Sequence, residues 1–174
     1  MRIFVAIEIP EKIKKDLIIA QKEFEPFGTI KFVRDFHLTL KFIGEISPLR
    51  IEKIKDRLRT INFSEFELYL SRFGVFPDYK RINIIWVGVE PKRKIKKLQE
   101  AIESKLIDIF PAEKEFKGHI TLGRVVSVKN RDKLLDRLHD LKIDGVFKIK
   151  NFYLIQSDLT SRGLIYTILE KYGL

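Results

Sequence analysis

Apolar and polar positions alternate over residues 2–9, the period of a half-buried strand, and then recur three and four apart over residues 10–27. The change of period predicts a strand followed by a helix, with Pro10 suited to the first helical turn and residues 26–28 supplying the stop. Residues 30–33 and 36–43 read as a hairpin-like pair of strands. Ser47 then offers an N-cap ahead of Pro48 and a helix over residues 49–61, and residues 66–76 close this half as a strand.

Past the turn signal at Pro77 and Asp78 the order of elements repeats. Residues 81–89 form a strand-like run ended by Glu90 and Pro91, residues 92–110 a long amphipathic helix, and residues 119–126 a strand. A helix over residues 130–141 capped by Asn130, a strand over 146–157 and a last strand over 164–169 complete the pattern. No Gly/Ser-rich linker separates the halves, 1–76 and 81–169. They are therefore expected to pack as two lobes of a single domain over residues 1–174, with a cleft at the seam.

Each half carries one short segment of the same kind, His37-Leu38-Thr39-Leu40 and His119-Ile120-Thr121-Leu122. The next strand-like run begins 29 positions after His37, at Phe66, and 28 after His119, at Phe147. Because strand side chains alternate, His37 and Thr39 share one face, as do His119 and Thr121. The two Cα atoms of a pair stand roughly 7 Å apart, close enough to touch one phosphate-sized group. Leu38, Leu40, Ile120 and Leu122 take the core face, and Phe36 and Phe42, of the same parity as Leu38, are assigned to the core with them. Only three histidines exist, and two of three carrying Thr at the second position by chance has odds on the order of 0.4%. The third, His139, lies in a charged helical stretch and reads as an exposed helix residue.

Composition narrows the chemistry. With 45% apolar and 33% charged residues the 174-residue chain is globular, and with no Cys it has no disulfide, thiolate metal site or cysteine nucleophile. No stretch approaches about 18 uninterrupted apolar residues, and no signal peptide is visible, so no membrane role and a cytoplasmic address are expected. Lys and Arg outnumber Asp and Glu by 34 to 24, a net +10 that would concentrate polyanions such as RNA. The abundance of Lys and Glu with only seven Asn plus Gln is also the balance of proteins from hot environments.

Two imidazoles across a cleft supply a base for an attacking water and an acid for a leaving alkoxide, while Thr hydroxyls hydrogen-bond the non-bridging oxygens. This is phosphodiester hydrolysis, and a cyclic phosphate suits a small symmetric pocket. A metal site would need carboxylates. Positions 37, 39 and 41 and positions 119, 121 and 123 contain none, and Lys41, a cation at one of them, would repel a metal and attract a phosphate. No metal and no cofactor are therefore expected.

The paired segments resemble the two H-x-T-x motifs of the two-histidine phosphoesterases, in particular the RNA 2′,3′-cyclic phosphodiesterase or 2′-5′ RNA ligase (LigT-like) family. The likeness extends to MRIFVAIEIP at the start, HLTLKFIGEI, HITLGRV, and the late pattern Ser157, Leu159, Gly163, Tyr166. It implies an α+β fold of two pseudo-twofold lobes, two antiparallel sheets facing a central cleft with helices outside. It implies metal-free hydrolysis of RNA 2′,3′-cyclic phosphate ends to 2′-phosphomonoesters, with His37 as proton donor, His119 as acceptor and Thr39 and Thr121 on the phosphate. Lys41 is a further candidate phosphate ligand. Arg124 resembles a phosphate-binding Arg of the family, yet has the wrong parity for the His119 face and reaches the groove only if the strand ends, twists or bulges after Gly123. Many relatives carry an aromatic such as Trp just before the first motif, where this chain has Phe32 and Val33, so base stacking stays unassigned. The expected partner is RNA with a 2′,3′-cyclic phosphate terminus, and the expected state a monomer. The alternatives are 2′-5′ ligation, the reverse reaction at the same histidines, and a non-catalytic module that binds RNA ends or nucleotides.

Overall fold

The computed structural model describes residues 1–173. The first strand signal is realised as β1 (Arg2–Glu8), whose Ile3, Val5 and Ile7 enter the main core while Phe4 and Ala6 form a smaller cluster with Ile155 on the opposite face. Helix α1 (Glu11–Lys22) begins directly after Pro10 and ends five residues earlier than the periodicity suggests. There a 3-10 turn at Glu25–Phe27 tightens the chain into β2 (Gly28–Phe32). Strand β3 (His37–Glu45) carries the first motif. Ser47 caps as expected, accepting from the Leu49 N–H, but it caps a 3-10 turn that leads into α2 (Ile51–Arg59).

Strand β4 (Phe66–Pro77) closes the first half, and the repeat follows with β5 (Ile82–Glu90), α3 (Lys92–Leu106) and β6 (His119–Val128), which carries the second motif. Helix α4 (Arg131–Asp140) is capped by Asn130, whose side-chain oxygen accepts from the Lys133 N–H at 3.0 Å. The single strand expected over residues 146–157 is interrupted at Lys150. Strand β7 (Val146–Ile149) pairs with β4, whereas β8 (Asn151–Thr160) pairs with β1 and with the final hairpin strand β9 (Gly163–Gly173). The interruption lets one run of chain pass from one lobe to the other.

All strand pairs are antiparallel, in the order β7-β4-β5-β6-β3-β1-β8-β9 with β2 beside β6. The two lobe sheets meet at a single bridge, Leu38 with Ile120, and so form one curled sheet of nine strands with the helices outside. The contiguous sequence halves do not coincide with the lobes. Strand β4, from the first half, lies in the second lobe's sheet, and β8 and β9, from the second half, complete the first. No helix among the described residues is long and apolar enough to cross a membrane.

Candidate active site

The bridge between Leu38 and Ile120 lies on the seam, and its antiparallel register decides what faces what. Moving one residue either way sets His37 beside Thr121 and Thr39 beside His119. Each histidine is thus flanked by the other motif's threonine. All four side chains are half-buried, while Leu38, Leu40, Ile120 and Leu122 are fully buried on the other face.

Both motif strands then break parity in the same way. Against β1, Thr39 pairs with Ala6 and Lys41 with Val5, leaving Leu40 as an extra residue. Against β5, Thr121 pairs with Trp86 and Gly123 with Ile85, leaving Leu122 extra. These β-bulges turn two consecutive residues toward the core and return the next one to the cleft face, so Lys41 matches Gly123 and Phe42 matches Arg124.

Three expectations about side-chain direction are settled by this one feature. Lys41 is only 1% exposed and does not reach the cleft. Its ammonium donates to both carboxylate oxygens of Glu103 on α3 at 2.9 Å and to the Pro111 carbonyl at 3.1 Å, so it is corrected from phosphate ligand to buried ion-pair partner. Phe42 is corrected from core to surface, 64% exposed and tilted against Phe4 at 6.1 Å, whereas Phe36 is in the core as expected. Arg124 is returned to the cleft face by the bulge at Leu122, one residue before the position at which the sequence allowed for it. On the core side Gln21 of α1 holds that bulge, donating to the carbonyls of Leu122 and Val33 at 2.9 Å.

Ring walls orient the imidazoles. His37 meets Tyr166 at 4.8 Å and Phe4 at 5.6 Å between centroids, both edge-on, and His119 meets Phe76 edge-on at 4.8 Å with Trp86 at 6.2 Å. Trp86 fits because residue 74 is Gly: a Cβ there would lie 2.2 Å from the indole. The His119 Nδ1 lies 2.6 Å from the Lys117 carbonyl. A carbonyl only accepts, so Nδ1 carries the proton and donates it, leaving Nε2 for the cleft. Burial pushes both imidazoles below their ordinary value. At His37 the Asp35 carboxylate opposes that shift and Lys14 adds to it, and at His119 the hydrogen bond to Lys117 opposes it.

The pairing of His and Thr was legible in the sequence. The rings of Phe4, Phe76 and Trp86, and the charge of Asp35, were not, because strands remote in sequence bring the rings in. Tyr166 appeared only as part of the family resemblance. His139 lies away from the seam, on α4, exposed beside Asp140. No group of three or more His, Cys, Asp or Glu able to hold a metal ion occurs among the described residues.

Two H-x-T-x strands at the centre of a bilobal curled sheet define a two-histidine phosphoesterase, and this chain belongs to the LigT-like phosphoesterase family. The family's model, described as LigT like Phosphoesterase, matches residues 7–86. A protein of Methanocaldococcus jannaschii named RNA 2′,3′-cyclic phosphodiesterase is 35% identical over 178 residues, spanning 99% of this chain and 100% of that one. A Thermotoga maritima protein of the same name is 32% identical, spanning 98% and 94%. The crystal structure of TT0787 from Thermus thermophilus superposes with a TM-score of 0.84 at 25% identity over 100% of this chain and 98% of that one. Apo LigT of E. coli shares the fold, with a TM-score of 0.80 at 23% identity over 99% and 96%.

Proposed function

We propose that this chain hydrolyses the 2′,3′-cyclic phosphodiester end of RNA to a 2′-phosphomonoester, with its two histidines as the proton carriers and no metal. The observation that carries the reading is the interleaved register at the seam, which sets His37 beside Thr121 and His119 beside Thr39. Full-length relatives named RNA 2′,3′-cyclic phosphodiesterase support the substrate class.

In this reading the Nε2 of His119, freed by the bond from Nδ1 to Lys117, takes a proton from water as the water oxygen bonds to phosphorus. The bond from phosphorus to O3′ breaks, and protonated His37 delivers its proton to that oxygen. One water is consumed, and the phosphate stays on O2′ as the monoester. Thr39 and Thr121 donate to the non-bridging oxygens, whose charge grows in the transition state, and Arg124 on the cleft face adds a cation. Asp35 favours the charged form of His37, and the carbonyl partner fixes the neutral tautomer of His119 that can act as base.

Single-turnover rates on an oligonucleotide ending in a 2′,3′-cyclic phosphate test the assignment. His37→Ala and His119→Ala are each expected to lose about 100- to 10,000-fold, with the double variant hardly worse because the two act as a unit. Thr39→Ala and Thr121→Ala are expected to cost about 10- to 100-fold, and His139→Ala nothing. A folded His37→Ala or His119→Ala protein at near wild-type rate would overturn the mechanism.

A further inference from the structure

Strand β2 pairs with β6 in a register that places Lys31 directly across from Arg124. Both are exposed. The neighbours of Lys31 along its strand, Ile30 and Phe32, lie on the other face, where a Cβ on Gly123 would meet them at 2.7 and 3.1 Å. Lys31 therefore projects from the same face as Arg124, the cleft face.

Directly opposed like charges in an antiparallel pair repel. Neither cation has an ion-pair or hydrogen-bond partner among the described residues, whereas elsewhere on the molecule Arg57 pairs with Asp108 and Arg59 with Glu170. A fold that sets two unpaired cations side by side on its cleft face has a site that one bound anion would stabilise.

The position of the pair relative to the catalytic centre says which anion. Along β6 the row of Lys31 and Arg124 follows the row of His37 and Thr121, whereas Thr39 and His119 lie on the far side of the bridge. Arg124 is three residues from Thr121, roughly 7–10 Å along the strand, a distance both long side chains can span in part. In the hydrolysis proposed above, His37 protonates O3′, so the terminal nucleoside leaves the cyclic phosphate on the His37 side, toward these cations.

We propose that Lys31, with Arg124, holds the phosphodiester on the 5′ side of the terminal nucleotide, so that the site prefers an RNA chain end to a free cyclic mononucleotide. This specificity rests on the hydrolase reading. Arg124 is shared with the reacting phosphate, whereas Lys31, one strand further out, serves the flanking phosphate alone.

The test compares wild type with Lys31→Ala and Lys31→Glu on three substrates: adenosine 2′,3′-cyclic phosphate, the same nucleotide with a 5′-phosphate, and a short oligoadenylate ending in the cyclic phosphate. Lys31→Ala is expected to lower kcat/KM about 5- to 10-fold on the second and third and less than twofold on the first, with Lys31→Glu worse. The salt dependence of oligonucleotide binding is expected to weaken by about one phosphate contact. An equal effect on all three substrates, or none on any, would overturn the proposal. If the wild-type protein opens no substrate, the hydrolase reading fails. Equilibrium affinity for the nucleotides with and without the 5′-phosphate then decides the seat alone: loss of the preference in Lys31→Ala supports it, and an unchanged preference overturns it.

Discussion

His37 and His119 lie among rings, and lost hydration pushes both imidazoles below the ordinary histidine value of 6.5. The proposed mechanism needs one charged and the other neutral, so kcat/KM should follow a bell whose centre is the mean of two lowered values. The optimum is expected below pH 6.5, with limbs that belong to the pair. The Asp35 carboxylate raises His37 against this trend. Asp35→Asn removes that support and lowers His37 further, so the optimum should move to lower pH, which a pH profile of kcat/KM measures. An unmoved or raised optimum would show that Asp35 does not set the charge of His37. The shared face of each His and Thr was legible in the sequence because period-two alternation sets it without any knowledge of partners. Their environment was not. Phe4, Phe76, Trp86 and Tyr166 come from four other strands, and no local pattern announces which rings a curled sheet will bring to one imidazole.

Beyond the fourth residue of each motif, strand-level detail took over from sequence parity. An extra residue at Leu40 and at Leu122 reverses the alternation, and with it the directions of Lys41, Phe42 and Arg124. A bulge has no signature in hydrophobic period; it appears only once the partner strand's register is known. The lobes stabilise equivalent bulges differently. Gln21 bonds the Leu122 carbonyl in one, and the ion pair of Lys41 and Glu103 occupies the corresponding region of the other, where Glu103 also accepts from the Gln99 side chain at 3.1 Å. Lys41→Met is expected to leave Glu103 buried and unpaired and to cost about 3–5 kcal/mol of stability, read by denaturant unfolding, and the double variant Lys41→Met, Glu103→Leu should recover much of it. A Lys41→Met protein of unchanged stability but weakened substrate binding would instead return Lys41 to the phosphate. Helix boundaries also moved, α1 and α3 stopping several residues short of their periodic stretches, because apolar residues continue at helical spacing into turns that pack on the same core.

At the scale of the whole molecule, the exchange of strands makes the lobes interdependent: β4 crosses to the second sheet and β8 and β9 to the first, so neither half of the sequence contains a complete lobe. The repeat of elements was visible in the sequence. Which lobe each strand joins was not, since the crossing at Lys150 is a matter of pairing partners and leaves no break in apolar pattern. The net charge of +10 acts over the whole surface, and affinity for long RNA is expected to fall steeply between about 50 and 200 mM salt, measured by titration at several ionic strengths. Flat affinity over that range would remove the charge from the account of RNA binding. The chemistry at the seam is a separate question, and product analysis addresses it most directly. An RNA oligonucleotide ending in a 2′,3′-cyclic phosphate, incubated with the purified wild-type protein and a chelator, should be converted to the 2′-phosphomonoester at the rate seen without chelator. An unopened ring, a 3′-phosphate product, or activity lost to the chelator and restored by zinc or manganese would contradict metal-free hydrolysis by the two histidines.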